Sequence, residues 1–192
     1  VKREDELSFG ISGSKIRKYR SLIPWLLQKG VKEAVIIGSA CSNNVLGLCQ
    51  LMIENQVRPT LFLRGDPSYS IKGNALLSSL FVPASSIVWI AKQEWRTVED
   101  KAVEYASKQP HAVYILPEGA SVAASLPGAL TLPIDIIENE NENGVSYDHL
   151  FIEAGTGFMA CALILGLNWL KRPSTVHVLL LADDEKLFLQ RL

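Results

Sequence analysis

Short apolar runs recur through this chain between segments of helical periodicity, and that alternation is what most limits the folds open to it. Residues 34–38 (Ala-Val-Ile-Ile-Gly), 60–63, 87–90, 112–116, 149–153 and 176–181 read as strands. Runs apolar on every residue fit strands with both faces covered, as in parallel sheets. Helical spacing over 16–29 ends at Gly30, a natural C-cap, and further helices are predicted over 44–55, 75–80, 95–108 and 159–170. A polar segment through Pro67 and Ser70 joins strand to helix, and a last helix pattern follows Asp184. The charged first residues read as strand-like. A helix-like stretch after Gly119 runs to Glu138, and residues 139–144, all polar or Gly, are expected to form an exposed, mobile loop. The alternation predicts an α/β sheet with helices on both faces.

At 192 residues, 48% hydrophobic and 20% charged, the chain can bury one core, or two small lobes sharing a cleft. A net charge of -1 leaves no broad basic field, so nucleic acid is not an expected partner. No apolar run approaches the roughly 20 residues of a membrane helix, so no membrane is expected and the chain reads as a soluble, cytoplasmic protein. Cys41, Cys49 and Cys161 are an odd number without zinc spacing, which favours a reducing compartment over a disulfide framework. His111, His149 and His177 lie far apart in sequence, and no metal site is expected. The chain starts at Val1 rather than Met and its last helix pattern stops at Leu192, so a fragment is expected and a targeting segment is not excluded.

Three segments carry chemistry. Ser12-Gly13-Ser14-Lys15 places a lysine at a glycine-containing turn where an amphipathic helix begins, and Lys15 and Lys18, three apart, can converge on one anion. A cation sits badly at the positive end of a helix, a cost that is explained if Lys15 is neutralised in a Schiff base or paired with phosphate. Taken alone, it reads as a solvated lysine. Gly155-Thr156-Gly157, between a strand and a helix and followed by Phe158-Met159, offers backbone N–H groups to an oxyanion, or is only a tight turn. It is neither a Walker A loop nor a complete Rossmann fingerprint. Ser42, Asn43 and Asn44 place a hydroxyl and two amides at another helix start, where capping is the plainer reading. Cys41 beside them reads as a packing residue.

Lys2-Arg3-Glu4-Asp5-Glu6-Leu7, Ser12 to Lys18, Gly38 to Asn44, Pro117-Glu118-Gly119-Ala120-Ser121 and the 155–157 turn occur in one order. This order resembles the 1-aminocyclopropane-1-carboxylate deaminase and D-cysteine desulfhydrase family of pyridoxal-phosphate enzymes, from Val1 to about Leu181. The resemblance implies a tryptophan-synthase-like (fold type II) architecture of two three-layer α/β/α lobes, incomplete at the C-terminus. The smaller lobe is expected over 39–116 and the larger, cofactor-binding lobe over 1–38 plus 117–192. It implies pyridoxal 5′-phosphate as cofactor, with Lys15 as its Schiff-base lysine and Lys18 approaching its phosphate. Asn43 resembles the partner of the cofactor's phenolic oxygen, and Gly155, Thr156, Gly157 and Met159 match the phosphate loop by their amides.

Ser42 resembles the contact to the substrate carboxylate, and Asn43 and Asn44 complete the substrate-binding set, so Lys15 and Ser42 are the catalytic candidates. The implied activity is deamination or β-elimination of a small amino acid, giving a 2-oxo acid and ammonia, by a homodimer. Burial with Lys18 and Arg17 nearby is expected to lower the Lys15 pKa and let its amine act as a general base. Departures are Ser12-Gly13-Ser14 for Gly-Gly-Asn, Cys41 for Gln and Ala120 for Gly; family members also continue past Leu192 into residues of the substrate pocket. Two alternatives stay open: a related lyase or synthase acting on serine or cysteine derivatives, and a non-catalytic relative that binds the cofactor.

Overall fold

A computed structural model describes residues 1–7, 12–66, 72–182 and 184–192; the polar segment at 67–71 lies outside these. Strands β1 (Glu33–Ser39), β2 (Arg58–Arg64), β3 (Ile87–Ile90) and β4 (Val113–Leu116) form one parallel sheet in the order β3-β2-β1-β4. The register pairs Val35 with Thr60 and with Ile115. Strands β5 (His149–Ala154) and β6 (Thr175–Leu180) form a second parallel pair, with Phe151 opposite His177.

Side chains alternate across a strand, so β1 sends Ala34 and Ile36 to one face and Val35 and Ile37 to the other. Helices α1 (Ile16–Gln28) and α2 (Asn43–Glu54) cover the first face through Leu22, Leu26, Val45, Leu48 and Met52. After α3 (Asn74–Phe81), α4 (Val98–Ser107) covers the other face with Val98 and Ala102 against Val35, Ile37 and Phe62. Each fully buried Leu or Ile contributes about 1.5–3 kcal/mol, which is why β1 is apolar along its length. The short α5 (Leu126–Ala129) precedes α6 (Thr131–Asn143), which packs with α7 (Phe158–Trp169) on β5 and β6 through Leu132, Ile136, Leu163 and Leu167. Helix α8 (Glu185–Arg191) ends the chain. No helix among the described residues is long and apolar enough to cross a membrane.

The structure alters two sequence expectations. The charged start is a 3-10 turn, Glu4–Glu6, rather than strand-like. The segment at 139–144 is not a mobile loop, because α6 runs to Asn143 and caps at Gly144 in the left-handed region. Glu140 is buried there, where its carboxylate accepts from Arg172 and from the Tyr147 amide. The division at Ser39 would part β1 from the sheet that holds it, since Glu33–Ser39 pairs with both β2 and β4. His149 and His177, remote in sequence, meet across β5 and β6 with ring nitrogens 3.1 Å apart. Among the described residues no three metal-ligating side chains gather.

At the amino end of β1, Glu33 has a side chain 0% exposed. Burial alone would raise its pKa, but hydrogen bonds from Thr60 (2.5 Å), Arg58 and Tyr105 (2.7 Å), with His111 Nε2 at 2.6 Å, outweigh it and hold the carboxyl at about 2. A carboxylate lowered on folding stabilises the native state above its unfolded pKa, and that stability is lost as pH falls through the folded value. Glu33 should therefore contribute up to about 3 kcal/mol at neutral pH, lost between about pH 5 and pH 2. Urea midpoints measured at pH 7 and pH 3 should converge in Glu33→Gln relative to the parent chain; an unchanged pH dependence would discard this role.

Candidate active site

In the first sheet the chain steps outward from β1 to β2 and β3, then returns to the other side of β1 with β4. Such a reversal leaves a crevice at the carboxyl ends of the two strands, a place where open α/β sheets bind ligands. β1 ends there at Ser39 and β4 at Leu116, followed by Pro117 to Ser121.

Past β1 the backbone turns tightly into α2. A side chain on Gly38, near the end of β1, would meet Val45 Cγ2 at 2.6 Å, so a glycine there lets α2 approach the strand closely. Ser42 caps α2, its Oγ accepting from the amides of Asn44 (3.1 Å) and Val45 (3.4 Å). Asn43 Oδ1 accepts from Asn74 Nδ2 at 2.6 Å, which fixes the amide and turns its own Nδ2 elsewhere. Asn44, 4% exposed, faces α1: its Oδ1 accepts from the buried Tyr19 hydroxyl at 2.9 Å, while its Nδ2 is buried without a partner among the described residues. Sequence pattern gave no sign of this Tyr19–Asn44 link, which ties the lysine helix to the Ser-Asn helix.

Lys15 stands just before α1, half-buried, and its side chain makes no hydrogen bond or ion pair among the described residues. Lys18, a turn further on, is 2% exposed, and its Nζ donates to the Gly119 carbonyl. Burial first, and the charge of Lys15 second, bring the Lys18 pKa down to about 7. Arg17 takes no part, because two residues along a helix is the far side, and its guanidinium pairs with Glu4 and Asp135.

The 155–157 turn meets this group from the second sheet. Gly119 lies at φ +73, and a side chain there would come within 2.9 Å of Thr156 Cβ, so two segments join only because one is glycine. Gly157, at φ +82, caps α7 without a side-chain hydrogen bond, leaving first-turn amides for another acceptor. Lys18 Nζ lies 6.0 Å from the Phe158 ring centroid, at the first residue of α7. Met159 sends its side chain into the α6–α7 core, so only its amide could serve a ligand. Ala120 sits at φ +50, a conformation that favours glycine.

Two cavities flank the turn. One, about 610 Å³, is lined by Arg64, Trp95, Glu118, Gly155 and Thr156 among others, and the second, about 590 Å³, by Thr156, Phe158 and Cys161. Lys15, Lys18 and Ser42 to Asn44 line neither. Trp95 Nε1 donates to Glu118 at 3.4 Å and Arg64 stacks over the Trp95 ring, contacts that the sequence did not signal.

No family model matches the chain. It is similar to a putative 1-aminocyclopropane-1-carboxylate deaminase of Thermotoga maritima, 27% identical over 174 residues, covering 89% of this chain and 54% of that protein. A D-cysteine desulfhydrase of Serratia proteamaculans is 25% identical over 180 residues, covering 88% and 53%. Among solved structures, an ACC deaminase homologue superposes with a TM-score of 0.77 at 25% identity, covering 92% of this chain and 54% of that one. The resemblance read from the motifs is thus found again in whole-chain comparison, and the α/β fold is that of the fold type II pyridoxal-phosphate enzymes. The chain spans about half the length of the curated relatives it matches.

Proposed function

We propose that this chain binds pyridoxal 5′-phosphate between α1, α2 and the 155–157 turn, and forms part of a deaminase or β-elimination lyase. Its substrate is a small amino acid of the 1-aminocyclopropane-1-carboxylate or D-cysteine type, and its products are a 2-oxo acid and ammonia, together with sulfide where the substrate carries a β-thiol. One observation carries the reading: Lys18 is a buried amine with no carboxylate partner among the described residues, held at Gly119 beside the amide-bearing start of α7. A buried amine beside helix-start amides is a set of donors for an anion, and a phosphate group is the partner that this donor set fits.

When bound, the cofactor supplies the electron sink for charge that develops on a substrate carbon. Lys18 Nζ and the amides that open α7 hold the phosphate. Asn43, its Oδ1 committed to Asn74, presents Nδ2 as a donor to the cofactor's phenolic oxygen. Ser42 Oγ accepts two amides, so its hydrogen is available to the substrate carboxylate. Lys15 Nζ, without a competing partner among the described residues, is the group placed to bond the cofactor and to move a proton at the substrate carbon. A homodimer is proposed on the resemblance alone.

Borohydride reduction of the full chain loaded with pyridoxal phosphate, followed by peptide mapping, should place the label on Lys15, and Lys15→Ala should lose both label and visible absorption. Absorption that survives Lys15→Ala would overturn the assignment. The strain at Ala120 and the turning of Asn44 toward Tyr19 favour a second reading, a cofactor-binding relative without turnover. Label on Lys15 with no 2-oxo acid from a panel of amino acids would select it.

A further inference from the structure

We propose that anion binding at the 155–157 turn is linked to proton uptake: Lys18 is a neutral amine without an anion and an ammonium ion with one. The inference rests on the anion site proposed above and adds its pH dependence. Burial and the charge of Lys15 work against a charge on Lys18, and the groups named around it include no carboxylate paired with it. On α1, Lys15 contributes like charge and the Tyr19 ring lies 5.7 Å away, its buried phenol pushed up in pKa and therefore neutral. The segment after β4 offers a single carbonyl, Gly119, while the neighbouring Glu118 turns its carboxylate to Trp95 Nε1.

From α7 come the Phe158 ring, a helix start whose dipole is positive, and Cys161, whose thiol burial pushes up. From α8, Arg191 adds a guanidinium on the Thr156 carbonyl at 2.9 Å. With no carboxylate paired to it among the described residues, and with burial first and Lys15 second opposing its charge, the amine gives up its proton near pH 7. A phosphate dianion beside it reverses the balance, since an opposite charge within about 4–6 Å favours the ammonium form.

The sign follows from the two states. Lys18 without an anion titrates at about 7, and with one it titrates higher, so above pH 7 each binding event draws a proton from solvent. At pH 8 the uptake should be about 0.9 proton, and affinity should fall by up to about tenfold per pH unit above pH 8.

Isothermal calorimetry of the full chain with inorganic phosphate at pH 8, in two buffers of different ionisation heat, measures this directly. Lys18→Met should bind phosphate at least about tenfold more weakly and without uptake. Lys15→Met provides a variant that keeps Lys18: with the neighbouring charge gone, the Lys18 midpoint rises and uptake at pH 8 should drop below that of the parent. Phosphate binding without uptake, or uptake that persists in Lys18→Met, overturns the proton linkage and leaves the anion site standing. Failure of the parent chain to bind either phosphate or pyridoxal phosphate overturns the site itself, and the linkage with it.

Discussion

Gly128→Ala should lower stability by about 3–5 kcal/mol, a shift of roughly 10 °C or more in melting temperature for a chain of this size. Gly128 sits in α5, where that short helix crosses the first turn of α1. An added Cβ would fall inside van der Waals contact of the Arg17 carbonyl oxygen, 2.8 Å from Arg17 C and 2.9 Å from Ser21 Oγ. The first two are helix backbone and cannot rotate aside. Moving α5 away would break the Gly128 N–H bond to Ser21 Oγ (3.0 Å) and strain the Ser21 bond to the Ala124 carbonyl (2.7 Å). Gly155→Ala is the control: nothing lies within 4 Å of its added Cβ, so its cost should stay below about 1 kcal/mol. Denaturation curves of the two variants test the contrast, and equal stabilities would refute the close crossing of α1 and α5. Lys18 follows Arg17 directly, so a displaced α5 should also loosen phosphate binding.

The same crossing shows what sequence could and could not tell. β1 was legible because both of its faces are covered, which forces every residue from Ala34 to Ile37 to be apolar. α6 was cut short in the sequence reading because residues after Glu138 are polar, and the reason they stay helical is remote: Glu140 is satisfied by Arg172, 32 positions away. Helix 95–108 likewise opens as a 3-10 turn, Lys92–Thr97, before α4 begins at Val98.

At the candidate site, local signals marked the Lys15 turn, the Ser42 cap and the 155–157 turn, since each is a short stretch at an element boundary. The contacts that join them were hidden. Lys18 meets a carbonyl 101 positions on, and Gly119 is glycine because of Thr156, 37 positions on. Burial, which sequence spacing does not reveal, is what marks Lys18 apart from Lys15. The Glu33 cluster escaped notice for the same reason, its partners lying 25 to 78 positions away.

Arg17→Met should cost about 3 kcal/mol, and the loss should come from the carboxylates left behind more than from the missing cation. The Arg17 side chain is 4% exposed; Nε and Nη2 donate to the two Glu4 oxygens at 2.6 and 2.9 Å, Nη1 donates to Thr131 Oγ1 at 2.9 Å, and Nη2 reaches Asp135. Lys2 adds a looser pair, 3.6 Å from Asp135 and 3.9 Å from Glu4. Without Arg17, two carboxylates would share that one lysine. Asp135, 35% exposed, can draw on water, which keeps the cost below that of a fully buried orphan.

A triple variant, Glu4→Met, Arg17→Met and Asp135→Leu, removes the charges together and should recover most of the lost stability, since apolar replacement of a buried ionic group is often neutral. A triple variant no more stable than Arg17→Met would show that Arg17 acts through packing rather than charge. Burial would raise the Asp135 pKa, but the hydrogen bond and charge of Arg17 lower it, so Arg17→Met should also move that carboxyl back up, readable by NMR titration. The network links the charged N-terminal turn to α1 on the face away from Lys15 and Lys18. Two of the motifs that carried the resemblance therefore meet in it, and it fixes the helix that Lys15 precedes and that carries Lys18.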